Sequence, residues 1–159
     1  MITVYTDGSA DNRTGKKTGG IGVVMMYKDK AGKLHTKTHY DGKYINTTSA
    51  RMEILALITA LKLIKKRKRY QIHIHIDNQY VVNTVEKKWL FNWISRGQQK
   101  ANMDLWTQFY QLYQQHGMDE FVHLHWVRGH NGNQYNELAD ELANKGRLQK
   151  TEKNDTTTT

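Results

Sequence analysis

The chain has 159 residues, with 24 Lys and Arg against 15 Asp and Glu and a formal charge of +9 at pH 7. This length suits one domain with a real core, and the charge favours a polyanionic partner, nucleic acid first and an anionic membrane second. Cysteine is absent, which excludes disulfides and thiolate metal sites. There is neither an apolar run long enough to span a membrane nor a signal-peptide pattern, so we expect a cytoplasmic protein without a membrane partner.

The first part of the chain predicts an antiparallel meander of three strands. β-branched and aromatic residues predict a strand over residues 2–6, which enters a turn at Asp7-Gly8. A polar, Gly-rich loop leads to a second strand over residues 21–28. After the hairpin loop DKAGK, alternating residues predict a third strand over residues 34–40.

The rest of the chain predicts helices alternating with strands. Apolar residues cover nearly the whole circumference of a helix over residues 52–64, which begins after a capping segment TTS. Strands are predicted at 71–77 and 121–127, and helices at 78–89, 102–116 and 135–145. This order implies parallel pairing. The predicted fold class is α/β, with a mixed five-stranded sheet (three antiparallel strands plus parallel strands) and helices on both faces.

Domain organisation follows from composition. Residues 1–147 carry all the predicted helices and strands and form one domain. Residues 148–159, LQKTEKNDTTTT, are polar and low in complexity, and we expect them to be a disordered tail.

Four acids occupy strand ends or helices. Asp7 and Asp77 end predicted strands, and such ends form sites in α/β sheets. Glu53 is the only charge in the apolar helix segment MEILALITAL, and an unpaired buried carboxylate is costly. Taken singly, each acid has a simpler explanation. Asp7 or Asp77 could be a turn residue, and Asp140 an exposed helix position. Glu53 could form a salt bridge to Arg51 or another cation, or could be exposed at the helix start. Together, four carboxylates around one point can hold two hard cations, which suits phosphodiester cleavage.

The segments around these acids resemble one known family. YTDGSA, TTSARMEILALITAL, HIDNQYV and WVRGHNGNQYNELADELA occur in this order, and over about residues 2–146 the chain resembles a type 1 ribonuclease H. The resemblance implies a ribonuclease H-like fold. It also implies a metal-dependent endonuclease that hydrolyses the RNA strand of RNA–DNA hybrids and leaves 5′-phosphate and 3′-hydroxyl ends.

The resemblance implies a role for each acid. Asp7 is shared between two Mg²⁺ ions, for which Mn²⁺ can substitute; Glu53 and Asp77 complete the first site, and Asp140 serves the second. His130, in the loop RGHNGN, matches the family's catalytic histidine and suits a proton shuttle, although the bare sequence is also compatible with an ordinary loop histidine.

Substrate contacts are implied in the same way. Small polar groups near the acids would distinguish RNA from DNA through features such as the ribose 2′-hydroxyl, and Thr48 would grip a phosphate of the DNA strand. Ala50 departs from the family pattern, because it cannot replace the asparagine expected there. The matching small or polar residues are Gly8, Ser9, Asn12, Ser49 and Gln79.

A basic and aromatic segment resembles the family's substrate-binding handle. Residues 87–106, KKWLFNWISRGQQKANMDLW, which we call the handle, pair cations for phosphates with flat surfaces for sugars or bases. The loop before Asn102 is shorter than in the family, and Gln98 stands where a tryptophan is often found. The alternative is that the tryptophans pack the handle's own core. The predicted contacts are Trp89, Trp93, Arg96 and Asn102.

Other interpretations stay open. His73, His75, His123 and His125 alternate on two predicted strands, which makes a zinc site conceivable, although polar residues beneath a covering helix are the simpler interpretation. The whole chain could be a hybrid-binding module without catalysis, a reverse-transcriptase nuclease domain, or a membrane-surface binder through KKRKR. Four intact acids argue against a binding module without catalysis. The initiating Met1 and the tail favour a standalone protein over a reverse-transcriptase domain. A basic run that simply follows a buried helix is a simpler explanation of KKRKR than membrane binding. We expect a monomer.

Overall fold

The computed structural model describes residues 1–13, 15, 17–129 and 132–155. Its centre is a sheet with strand order β5-β4-β1-β2-β3-β6. The antiparallel half consists of β1 (Ile2–Asp11), β2 (Thr18–Lys28) and β3 (Leu34–Ile45). The parallel part adds β4 (Ile72–Ile76) beside β1, β5 (Val122–Trp126) beside β4, and the short β6 (Lys153–Asn154) beside β3.

Helices cover both faces of this sheet. The elements are α1 (Ser49–Leu63), α2 (Gln79–Glu86), α3 (Trp89–Ser95), α4 (Met103–Gln115) and α5 (Gln134–Arg147), with a 3₁₀ turn over Met118–Glu120. Helix α1 packs against β1, β2 and α4, whereas α5 packs against β1, β2 and β3. Strand β2 is buried along nearly its whole length. The predicted mixed α/β sheet with helices on both faces is therefore confirmed, with six strands instead of five.

The hydrophobic core lies between the sheet and helices α1, α2 and α4. Buried aliphatic side chains of β1, β4 and β5 belong to the same cluster as α1, which contributes apolar residues from nearly every side of the helix. The largest fully buried side chain is Trp106 of α4, which meets Phe109 edge to face at 5.7 Å. This burial on all sides places Glu53 of α1 inside the protein.

Three local predictions differ from the structure. The predicted turn at Asp7-Gly8 is wrong, since β1 continues to Asp11 and pairs with β2 along its length. The predicted helix over 78–89 ends at Glu86, and a separate helix, α3, begins at Trp89, because Lys88 adopts a left-handed backbone with φ 64° between them.

The tail also differs from its prediction over residues 148–155. Lys153 and Asn154 pair with β3, and Lys153 forms an ion pair with Asp41. Asp155 is buried and bonded to Arg51. The polar composition of this segment predicted disorder, but backbone pairing and the buried ion pair hold it in place. Residues 156–159 lie outside the described residues.

Every helix in the described ranges is too short or too polar to span a lipid bilayer.

Candidate active site

Three of the four predicted acids meet at one point. Asp7 projects from the middle of β1, Glu53 from the second turn of α1, and Asp77 directly follows β4. Each offers a carboxylate oxygen, and these oxygens all lie within 4.8 Å of one another. Asp7 and Glu53 are buried, and Asp77 is half-buried. We call Asp7, Glu53 and Asp77 the carboxylate cluster.

Asp140 reaches the same cluster from the face of the sheet that lies opposite α1. Its side chain lies within hydrogen-bonding reach of Asp7. The approach depends on Gly22 of β2, which pairs with Asp7 across the antiparallel ladder. A Cβ atom on Gly22 would lie 2.3 Å from the carbonyl oxygen of Ala139, the residue before Asp140. A glycine at this position therefore allows α5 to come close enough to deliver the fourth acid.

Helix α1 comes equally close to the other side of β1. A Cβ atom on Gly8 would lie 2.4 Å from the backbone nitrogen of Glu53, so a larger residue would push the helix away. The Gly8 N–H lies 2.9 Å from Asp7 Oδ1 and 3.2 Å from Glu53 Oε1 and donates to both. Gly8 therefore brings the two buried acids together and supplies one N–H to both.

The electrostatics of the cluster disfavour its charged, metal-free form. Burial raises the pKa of Asp7 far above its usual range, and the neighbouring Glu53 and Asp77 raise it further. Burial also raises the pKa of Glu53, with hydrogen bonds from Asp7 and Gly8 opposing the shift and the charge of Asp77 adding to it. A cation bound among these oxygens would favour their ionised form.

Among the described residues, one carboxylate oxygen of Glu53 lacks the partner that a purely structural role requires. Its Oε2 atom is buried, and no hydrogen-bond partner for it occurs among the residues that the structure describes. The predicted alternative of a salt bridge to Arg51 is wrong, because the Arg51 guanidinium turns to Asp104 and Asp155. An unpartnered buried carboxylate oxygen beside two further carboxylates fits a hard cation such as Mg²⁺, which prefers oxygen ligands.

His130 lies outside the described residues, but the loop that carries it begins at the cluster. A Cβ atom on Gly129 would lie 3.3 Å from Asp77 Oδ2, so the backbone before His130 runs against an acid of the cluster.

The predicted small polar contacts lie on, or close in sequence to, the elements that carry the acids. Gly8 and Ser9 follow Asp7 on β1, and the Ser9 hydroxyl donates to Asn144 Oδ1 on α5 at 2.7 Å. Asn12 is exposed just beyond β1. At the helix starts, Thr48 caps α1 by accepting from Arg51 N–H, while Ser49 and Gln79 are the exposed first residues of α1 and α2.

The handle presents both aromatic and basic groups. Trp93 is half-buried against the hydrophobic core, and Lys100 Nζ lies 5.9 Å from the centre of its ring. Trp89 is also half-buried, with its ring 5.9 Å from that of Tyr80. Arg96 is exposed at the end of α3. The tryptophans therefore pack within the protein while keeping part of their surface outside.

Arg51 and Asp155 join the tail to the domain, a structural role that the sequence did not indicate. Arg51 bonds Asp104 Oδ2 at 2.6 Å, Asp155 Oδ2 at 2.8 Å and Asn102 Oδ1 at 3.2 Å. Asp155 also accepts from the Thr47 hydroxyl at 2.8 Å. The tail thereby ties the start of α1 to the start of α4, two places where substrate contacts are predicted. Asp155 carries no sequence signal, since it lies in a polar segment without periodicity.

Fold and site together define a class of protein: a mixed α/β sheet on which acids from β1, α1, the end of β4 and α5 converge, so that they could hold divalent metal for phosphoryl chemistry.

Known proteins identify the family within this class. The family described as RNase H matches residues 1–147. Ribonuclease H of Orientia tsutsugamushi is 41% identical over 154 residues, covering 93% of this chain and 83% of that protein. Ribonuclease HI of Haemophilus influenzae is 39% identical over 152 residues, covering 92% and 89%. LC9-RNase H1, whose structure is described as a type 1 RNase H with the type 2 active-site motif, aligns with a TM-score of 0.79 at 29% identity, covering 92% of this chain and 71% of that one. The chain belongs to the RNase H family.

Proposed function

We propose that the carboxylate cluster and Asp140 are the catalytic centre at which this chain cuts RNA. Family membership makes the protein a hydrolase, an endoribonuclease acting on the RNA strand of RNA–DNA hybrids. The observation that carries the proposal is the meeting of three carboxylates within 4.8 Å, one of which keeps a buried oxygen without a partner among the described residues. We expect products with 5′-phosphate and 3′-hydroxyl ends.

The metal is proposed to be Mg²⁺, with two ions per site and Mn²⁺ able to substitute. Asp7, Glu53 and Asp77 would hold one ion, and Asp7 and Asp140 the other. When bound, the ions supply a water of lowered pKa and positive charge for the leaving oxygen. The hydrogen bond from Gly8 N–H to Glu53 Oε1 orients that carboxylate, which leaves Oε2 available as a ligand.

His130 is proposed to move the proton. A neutral imidazole with an ordinary pKa near 6.5 can accept a proton from water and return it to the leaving oxygen. The approach of Gly129 to Asp77 supports this role, because the loop starts beside the acids.

Substrate binding is proposed to combine the small polar residues near the acids with the handle. The formal charge of +9 supports a polyanionic substrate. Thr48 and Ser49 stand at the start of α1, where exposed N–H groups favour a phosphate. Arg96 adds an exposed cation on the handle. Ala50 is exposed at the start of α1 and offers no side-chain hydrogen bond, so we expect one fewer contact there. The remaining proposed contacts are Gly8, Ser9, Asn12, Gln79, Trp89, Trp93 and Asn102.

We propose that the protein acts as a monomer. The three carboxylates of the cluster and Asp140 come from one chain, so a second copy is not needed to assemble them.

The test is cleavage of an RNA–DNA hybrid labelled on the RNA strand, with Mg²⁺ or with EDTA. We expect internal cuts only with Mg²⁺, products that a 5′-phosphate-dependent exonuclease degrades, and no cleavage by Asp7→Asn. Asp29→Asn is the matched control. This substitution removes the same charge as Asp7→Asn, but in the exposed β2–β3 hairpin. Hybrid binding without metal-dependent cutting, or full activity of Asp7→Asn, would overturn the proposal.

A further inference from the structure

A grid of four histidines lies on the β4–β5 edge of the sheet. Both strands alternate, with aliphatic residues buried on the core side and histidines on the opposite side. The strands are parallel and in register, so His73 stands beside His123 and His75 beside His125. His73, His75 and His123 are partly exposed and His125 is exposed. We call these four residues the histidine grid.

The imidazole rings of the grid are close together. Ring centres lie 4.8 Å apart for His73 and His123, and 5.0 Å apart both for His73 and His125 and for His75 and His125. The shortest contact joins two ring nitrogens, since His73 Nδ1 lies 2.8 Å from His125 Nε2. A hydrogen bond therefore joins the two rings.

This pair of nitrogens has nearly the separation that a metal ion requires. Two imidazole ligands about 2.0–2.1 Å from a tetrahedral Zn²⁺ are about 3.3 Å apart. The present 2.8 Å separation needs only a small opening. In a neutral pair one ring donates its N–H and the other accepts. If the donor ring's proton moves through water to its other nitrogen, both His73 Nδ1 and His125 Nε2 present lone pairs, and no net proton is lost.

A neighbouring hydrogen bond fixes the tautomer of His123, which stands beside this pair of nitrogens. The Gln71 side-chain amide donates to the Glu120 carbonyl oxygen at 2.9 Å, which leaves Gln71 Oε1 as the acceptor. His123 Nε2 lies 2.8 Å from that oxygen and must donate to it. The neutral His123 ring then has an unprotonated Nδ1. Such outer-sphere bonds commonly fix the tautomer of metal-binding histidines.

The surroundings of His73 favour its neutral, ligating form. Partial burial and the neighbouring His125 and His123 lower the pKa of His73, so its ring is neutral and able to ligate.

We propose that His73 and His125, with His123 beside them, form a binding site for a borderline transition-metal ion such as Zn²⁺, Ni²⁺ or Cu²⁺. Imidazole suits these ions, whereas the carboxylates of the catalytic cluster suit Mg²⁺. The site is chemically distinct from the proposed catalytic centre, and it does not depend on whether the chain cuts hybrids. Water fills the coordination positions that protein side chains leave open.

The test is calorimetric titration with Ni²⁺ of the full chain without a polyhistidine tag, in excess Mg²⁺ to occupy the carboxylates. We expect binding by the wild type and at least about a tenfold loss of affinity in His73→Thr and in His125→Thr. Threonine suits a strand position. His39→Thr on β3 is the control and should bind as the wild type does. Asp7→Asn should also retain Ni²⁺ binding, since it alters only the carboxylate cluster.

A second measurement does not depend on the variants folding. Titration of the wild type with Zn²⁺ in excess Mg²⁺, followed by ¹⁵N-edited NMR of the histidine rings, should shift the His73 and His125 signals before those of His39. Absence of Ni²⁺ binding, unchanged affinity in both grid variants, loss of binding in Asp7→Asn, or no selective shift of the grid signals would overturn the proposal.

Discussion

Replacing Glu53 by glutamine should stabilise the metal-free protein while removing its response to metal. Glu53 is 5% exposed, its Oε2 atom has no partner among the described residues, and it lies beside Asp7 and Asp77. Leaving a buried polar group unsatisfied costs about 1–3 kcal/mol, and more for a charged one. Glutamine keeps the oxygen that accepts from Gly8 N–H, removes the negative charge, and brings an amide that can donate to Asp7.

The expected gain is about 2 kcal/mol in the free energy of unfolding, or about 4–8 °C in Tm for a chain of this size. The sign also follows from linkage. Burial raises the folded-state pKa of Glu53 from its ordinary value of 4.5 to about 7, so the contribution of Glu53 to the stability of the metal-free protein is largest below pH 4.5 and is lost as the pH rises through the raised pKa. Glu53→Gln should weaken this pH dependence.

Thermal melts in EDTA and in Mg²⁺, at several pH values, measure both effects. Wild type should gain Tm on addition of Mg²⁺, because a ligand that binds only the folded state stabilises it. The Tm of Glu53→Gln should be higher than that of the wild type in EDTA and should rise much less on addition of Mg²⁺. Glu120→Gln is the control, since Glu120 is exposed and its loss removes the same charge. A lower Tm of Glu53→Gln in EDTA, or a Mg²⁺ response equal to that of wild type, would refute the proposed metal role of this residue.

Three further substitutions test other parts of the structure. Gly22→Ala places a Cβ against the Ala139 carbonyl oxygen and must move α5. We therefore expect about 1–3 kcal/mol of destabilisation in thermal melts, together with slower hybrid cleavage. A Tm and a cleavage rate equal to those of the wild type would contradict the close approach. Asp155→Asn weakens the buried bond to Arg51. It should lower the free energy of unfolding by about 1–3 kcal/mol in thermal melts, while metal-dependent cleavage persists. An unchanged Tm would show that the tail does not stabilise the domain. His130→Ala should slow turnover by up to about 100-fold and leave the Mg²⁺-dependent rise in Tm intact; loss of that rise would place His130 among the groups that maintain the metal site.

Local sequence pattern was sufficient for much of the fold. Alternation in residues 34–40 and the isoleucines of β4 predicted strands because side chains of a strand alternate between its faces. The apolar circumference of α1 predicted burial on several sides, which the structure confirms. The parallel pairing of β4 followed from the helix that separates it from the preceding strands.

Features that depend on contacts distant in sequence were not predictable in this way. The pattern could not show that β1 continues past Asp7, because that strand is extended by pairing with β2. Nor could it show that Arg51 turns from Glu53 to Asp104 and Asp155. The short pairing of the tail with β3 likewise has no local signature, since a polar segment of two paired residues lacks periodicity.

By itself, the sequence determined which acids were candidates, the order of the family's motifs, and the α/β fold class. Only the tertiary structure decided that three acids meet within 4.8 Å and that Asp140 reaches Asp7 from the opposite face. The physical reason is steric. Gly8 and Gly22 have no side chain to hold α1 and α5 away from β1 and β2, and a glycine's role in such a contact becomes visible only when the backbone that it admits is in place.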